Sequence, residues 1–218
     1  MLDDTAPRVV PARIKRAIVA ATSLVVASSL IGSAFGPYLL THHPVLLLVL
    51  GPESHHVVLT TQLLPGWLII SLTTFRRVVG LVALYGFGWA HGQGALLFIE
   101  RRFGRIGKLL RWVEKSVARF GSAVVLFAPM PAVCVMAGVA ETRFFRTVLA
   151  MAVGQLFWVS VVWAFGDLIS VFTTPFVEFL SDHVLEATLI CVFAVATWQT
   201  LGYLRRRKSK MIPEEDQQ

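Results

Sequence analysis

Four places in this chain set ionisable residues into otherwise apolar sequence: Glu53 in "GPESHH", Arg76 and Arg77 in "SLTTFRRVVG", Arg143 and Arg146 in "ETRFFRTVL", and Asp167 in "WAFGDLIS". A charged side chain at the centre of a bilayer costs at least ~2.5 kcal/mol, so such residues face a cavity or a partner. Glu53 fits a proton or headgroup site, or a shallow wet turn. Arg76 and Arg77 follow a run of apolar and weakly polar residues and precede another, which predicts that at least one lies inside the protein. There it would pair with Glu53 or grip a lipid phosphate with two parallel N–H bonds, which a lysine cannot do. The alternative is that both snorkel to an interface. Asp167 suits a proton relay or, more simply, a local hydrogen bond. Arg146, with Arg143, opens an apolar segment and serves as a cytoplasmic anchor or a phosphate contact.

Other chemistry is absent from the pattern. His42 with His43 and His55 with His56 are adjacent pairs without the i, i+4 spacing of a helical zinc site, and no carboxylate or cysteine cluster completes one. No metal or cofactor is expected. Cys134 and Cys191 sit in apolar stretches without CxxC spacing and read as inert buried thiols. There is no GxSxG, P-loop or HExxH, so hydrolase and ATPase readings lack their residues and no enzyme is expected. Gly88 and Gly92 form a GxxxG, and Ser28, Gly32 and Gly36 repeat the interval, predicting close helix packing.

The elements that must carry these residues belong to a membrane protein. With 56% hydrophobic residues and a mean hydropathy of +0.68, the chain holds more apolar surface than one soluble core can hide. Apolar segments recur throughout, and the first lacks a following A-x-A-like site, so a cleaved signal peptide is not expected. The net charge of +7 comes from basic residues flanking apolar spans, which argues for membrane orientation and against nucleic acid.

All 20 Lys and Arg residues fall into five places: 8–16, 76–77, 101–119, 143–146 and 205–210. Basic loops stay cytoplasmic, so the cation-free segments "GPYLLTHHP" and "TTPFVEFLSDHVLE" are expected outside and both termini inside. Spans are predicted over 17–40, 67–99, 144–171 and 187–204. The stretch "RRFGRIGKLLRWVEKSVAR", residues 101–119, reads as an amphipathic helix on the cytoplasmic leaflet, drawn to anionic headgroups. A basic N-terminus, 1–16, and a basic, polar tail, 205–218, flank a membrane region over 17–204.

Two apolar segments do not fit as crossings. Pro44 to Leu50 offers only about 10 Å of helix before the polar break at 51–56. In "VVLFAPMPAVCVMAG", Val124 to Gly138, Pro129 and Pro131 interrupt the run, and a crossing there would place "RRRKSK" outside. Both read as re-entrant hairpins entering from opposite sides, each followed by a long helix, as in an inverted repeat lining a substrate path. The fold class is therefore all-α, with about four transmembrane helices and two opposed hairpins. The alternative is a pair of Pro-kinked spans.

Residues 37–163 resemble the DedA family of bacterial membrane proteins, also called the VTT or SNARE-associated domain family. "AGVAETRFFRTVLAMAVGQLFW" has the spacing of the family's A-G-x-x-x-M segment, with Ala137, Gly138, Arg146, Gly154 and Trp158 at matching positions. "LYGFGWAHGQGAL" is similar to Y-x-x-G-R-x-x-G through Tyr85, Gly88 and Gly92. Thr142, Met151 and Trp89 replace the usual methionine, asparagine and arginine, and "FAPMPAVC" lacks the family's hairpin arginines. The resemblance implies a bacterial plasma-membrane protein that moves lipids, including lipid phosphates, between leaflets. An ion or small-solute transporter of the same fold, or a non-transporting membrane organiser, is the alternative.

Overall fold

The computed structural model describes residues 11–92 and 120–210, except the side chains of 167, 170–172 and 202–210. Among the described residues every regular element is helical. In order these are α1 (Ala12–Ala34), α2 (Gly36–His42), α3 (Pro44–Leu50), α4 (Ser54–Thr60), α5 (Gly66–His91), α6 (Ser122–Phe127), α7 (Pro131–Val139), α8 (Phe144–Leu168), α9 (Ser170–Asp182) and α10 (Val184–Lys210). The predicted surface helix at 101–119 and the tail beyond 210 lie outside the described residues, as does the Asp167 side chain.

Among the described residues four helices are long and apolar enough to cross a membrane: Ala12–Ala34, Gly66–His91, Phe144–Gly166 and Val184–Leu201. Trp67, Phe75, Phe157 and Phe193 stand exposed along α5, α8 and α10. Such a density of bare aromatic surface suits contact with lipid. The first long helix differs from the expected 17–40: it begins at Ala12 and stops at Ala34. Pro37 cannot donate a backbone bond to the preceding turn, and its ring crowds that turn's carbonyl, so the chain restarts as α2. The segment expected as an external loop contains α9.

Elements α3, α4 and α5 are repeated, in order and in local geometry, by α6, α7 and α8. The Gly51 N–H closes α3 on the Leu47 carbonyl at 2.9 Å, and the Ala128 N–H closes α6 on the Val124 carbonyl at 3.0 Å. The backbone then takes the same tight bend in both halves. Gly51 has φ −138° and ψ 79°, Ala128 φ −131° and ψ 73°. Glu53 N–H donates to the Gly51 carbonyl at 2.8 Å and Met130 N–H to that of Ala128 at 2.7 Å, with Pro52 and Pro129 between them.

Each long helix packs on the second short helix of the other half. Leu81 and Tyr85 of α5 are buried with Val133, Cys134, Val135, Met136 and Ala137 of α7, and Met151 of α8 joins them. On the other side Val162 and Trp163 of α8 close over Val57 of α4 and its neighbours Leu48 and Ile69. The first crossing is backbone on backbone. A Cβ on Gly88 would run into the Val135 carbonyl, and one on Gly138 into the Tyr85 carbonyl. Gly88 thus presses on the Val135 main chain of α7 and Gly138 on the main chain of Tyr85 and Trp89, while Gly92, at φ 49° with open space around it, ends α5.

Candidate functional site

A helix broken in mid-course leaves carbonyls without intrahelical partners, and in a membrane no water is at hand to take them. At the first break these carbonyls are met largely from α5. Arg76 Nε donates to the Val49 carbonyl at 2.8 Å, and its Nη2 reaches Ser28 Oγ at 2.5 Å, with the Val25 and Leu50 carbonyls at 3.4 and 3.5 Å. Arg77 Nε donates to the Pro52 carbonyl at 2.7 Å and Nη2 to Ser54 Oγ at 3.2 Å. The Gly51 carbonyl accepts from His56 Nδ1 at 2.5 Å, which places the proton of this buried imidazole on Nδ1.

Both arginines are therefore half-buried inside the protein. Glu53 stands beside them as the residue before α4, its side chain 47% exposed. Its Oε1 accepts from Ser33 Oγ of α1 at 2.9 Å, and its Oε2 lies 3.5 Å from His55 Nδ1. Among the described residues neither Arg76 nor Arg77 forms an ion pair with Glu53 or any other carboxylate. The Glu53 carboxylate is thus held by Ser33 and His55, while the two guanidinium groups are held by backbone carbonyls and serine hydroxyls.

The second break has the same geometry and different chemistry. Gln155 Nε2 of α8 donates to the Pro129 carbonyl at 2.9 Å, as Arg77 does to that of Pro52. Trp158 Nε1 donates to the Phe127 carbonyl at 3.2 Å. Where Arg76 meets Val49, Gly154 lets α8 press directly against the Leu126 carbonyl. Pro129 lies in the break, whereas Pro131 is the first residue of α7, where its missing N–H costs nothing. Gln155 is 6% exposed and its Oε1 has no hydrogen-bond partner among the described residues.

The remaining candidates occupy other places. Tyr85 Oη donates to the Thr142 carbonyl at 2.5 Å, tying α5 to the turn after α7, where Glu141 adopts φ 50°. Ala137 and Gly138 are buried against α5. Arg146 is exposed and borders a groove of about 370 Å³ between α6 and α8, lined by Ser122, Leu126, Leu149 and Val153. Among the described residues no group of His, Cys, Asp and Glu is placed to hold a metal ion.

Sequence reading passed over Gln155 and Ser33, and took Ser28 only as part of a helix-packing repeat. A signal for Gln155 was present: "YGFG" at 85–88 and "WAFG" at 163–166 stand at matching points of α5 and α8, and counting back from each places Gln155 opposite Arg77. No protein-family model matches this chain, and no curated protein or solved structure does.

Proposed function

We propose that this chain is a DedA-like membrane transporter that moves lipids or lipid phosphates between leaflets, with α3–α4 and α6–α7 as opposed re-entrant hairpins. The observation that carries this reading is the pair of matching breaks, each with its carbonyls met by side chains of the long helix that follows. Irregular backbone is tolerated at membrane depth only where protein buries it or a cavity wets it, and in transporters such broken helices line the substrate path.

In this reading the basic segments favour cytoplasmic termini, α9 outside and the 101–119 sequence facing the anionic inner leaflet, and the resemblance implies a bacterial plasma membrane. Glu53, Arg76 and Arg77 then belong to the path, with Arg146 at the inner mouth of the second hairpin. The test is movement of labelled lipid in proteoliposomes. Wild-type protein should move lipid, and Arg77→Ala or Glu53→Ala should abolish movement in protein that still folds. A wild-type protein that moves none of a panel of lipids, or only a water-soluble solute, overturns the reading.

A further inference from the structure

We infer that the charge of Arg77 serves ligand recognition, and that the first break is a binding site for a phosphate-type oxyanion. The second half of the molecule supplies the control. There Gln155 meets the Pro129 carbonyl at 2.9 Å in the place where Arg77 meets the Pro52 carbonyl at 2.7 Å. The bend is the same in both halves, so an uncharged amide suffices to hold it. The guanidinium at Arg77 is more than the backbone requires.

What it adds is charge and spare donors. A guanidinium carries five N–H groups in a planar fork, and Arg77 commits one from Nε and one from Nη2. Arg76 and Arg77 both bond to the first break, where Glu53 is the one carboxylate among the described residues and its oxygens are engaged by Ser33 and His55, so two cations stand against one anion. A cation half-removed from water beside a membrane interior draws an anion, and phosphate oxygens match the geometry of the fork. Ser54 Oγ accepts from Arg77 and Ser33 Oγ donates to Glu53, which sets two hydroxyls at the same break. At the second break Gly154, Gln155 and Met130 present no charge, so the site exists in one half only.

This inference rests on the first break being part of the transport path, and its test reads binding alone. The full chain in a non-ionic detergent is titrated calorimetrically with dihexanoyl phosphatidic acid, with dihexanoylglycerol as the phosphate-free lipid, and with inorganic phosphate. Wild-type protein should bind the phosphatidic acid and not dihexanoylglycerol. Arg77→Gln should weaken binding on the order of tenfold while the melting temperature is retained, because glutamine replaces the carbonyl contact.

Equal binding by Arg77→Gln overturns the assignment. Should that variant not fold, equal wild-type affinity for the two lipids overturns it alone. Inorganic phosphate bound as tightly as phosphatidic acid supports the oxyanion site and makes the soluble anion its ligand. Binding intact without lipid transport counts against the translocation reading and leaves the site standing; transport intact without binding does the reverse.

Discussion

Arg77 and Gln155 hold equivalent carbonyls in the two halves of the molecule, Arg77 that of Pro52 and Gln155 that of Pro129. The two side chains share little beyond a nitrogen donor of suitable reach. Because both bends need that donor, the contact explains why a polar residue persists at these places in helices otherwise bound for lipid. It also separates what the backbone demands from what a ligand would demand.

Replacing Gln155 with leucine leaves the Pro129 carbonyl buried without a donor. The expected loss is about 1–3 kcal/mol, the cost of an unsatisfied buried acceptor. Trp158→Phe removes one neutral bond, to the Phe127 carbonyl, and should cost about 1 kcal/mol plus lost packing. Unfolding in mixed micelles would measure both; a Gln155→Leu protein as stable as wild type would show that the bend holds itself.

The crossing of α5 and α7 should tolerate no side chain. Gly88→Ala and Gly138→Ala would each push carbonyl backbone apart and should cost about 3 kcal/mol or more. Gly92→Ala meets no neighbouring atom, so its cost, about 1–3 kcal/mol, comes from the backbone at φ 49° and ψ −132° alone. Thermal unfolding of the three variants in one detergent checks the order, and equal losses would contradict the packing described.

Removing the Tyr85 hydroxyl by Tyr85→Phe deletes the bond to the Thr142 carbonyl. A loss of about 1 kcal/mol is expected, with Thr142 still held through its own hydroxyl to the Ala137 carbonyl at 3.0 Å. The change is read as a melting shift, and no shift would mean that the turn after α7 is fixed by Thr142 alone.

Thiol labelling tests the topology. With Cys191 replaced by serine, buried Cys134 should resist maleimide in the native protein. In intact cells an impermeant maleimide added outside should label Glu53→Cys and spare Met130→Cys, although Met130 is 62% exposed. Labelling of both from one side would make the two breaks open on the same face and would remove the inverted arrangement.

The long helices were legible because apolar runs bounded by cations specify a span with little help from tertiary contacts. Pro44–Leu50 was legible as a short arm for the same reason, its ends marked by Pro44 and Gly51. The polar run 51–56 suggested a longer break than the molecule has, since Ser54, His55 and His56 enter α4, with the Gly51 carbonyl accepting a hydrogen bond from His56 Nδ1. The roles of Arg76 and Arg77 were half legible: their place inside the protein follows from the flanking residues, but their carbonyl partners lie across a tertiary contact that spacing does not reveal. Gln155 was hidden because a lone amide in an apolar helix looks like a packing accident until its counterpart is known.

The close approach of α5 and α7, with Gly88 on the Val135 carbonyl and Gly138 on that of Tyr85, also has a mechanical meaning. Where two main chains touch, there are no rotamers to change and no side chain to swing aside, so the joint is stiff in every direction except separation. A push on α5 at its arginines is thereby delivered to α7, next to the second break, with little lost on the way. Any working motion of this molecule must treat α5 and α7 as a single strut and bend elsewhere.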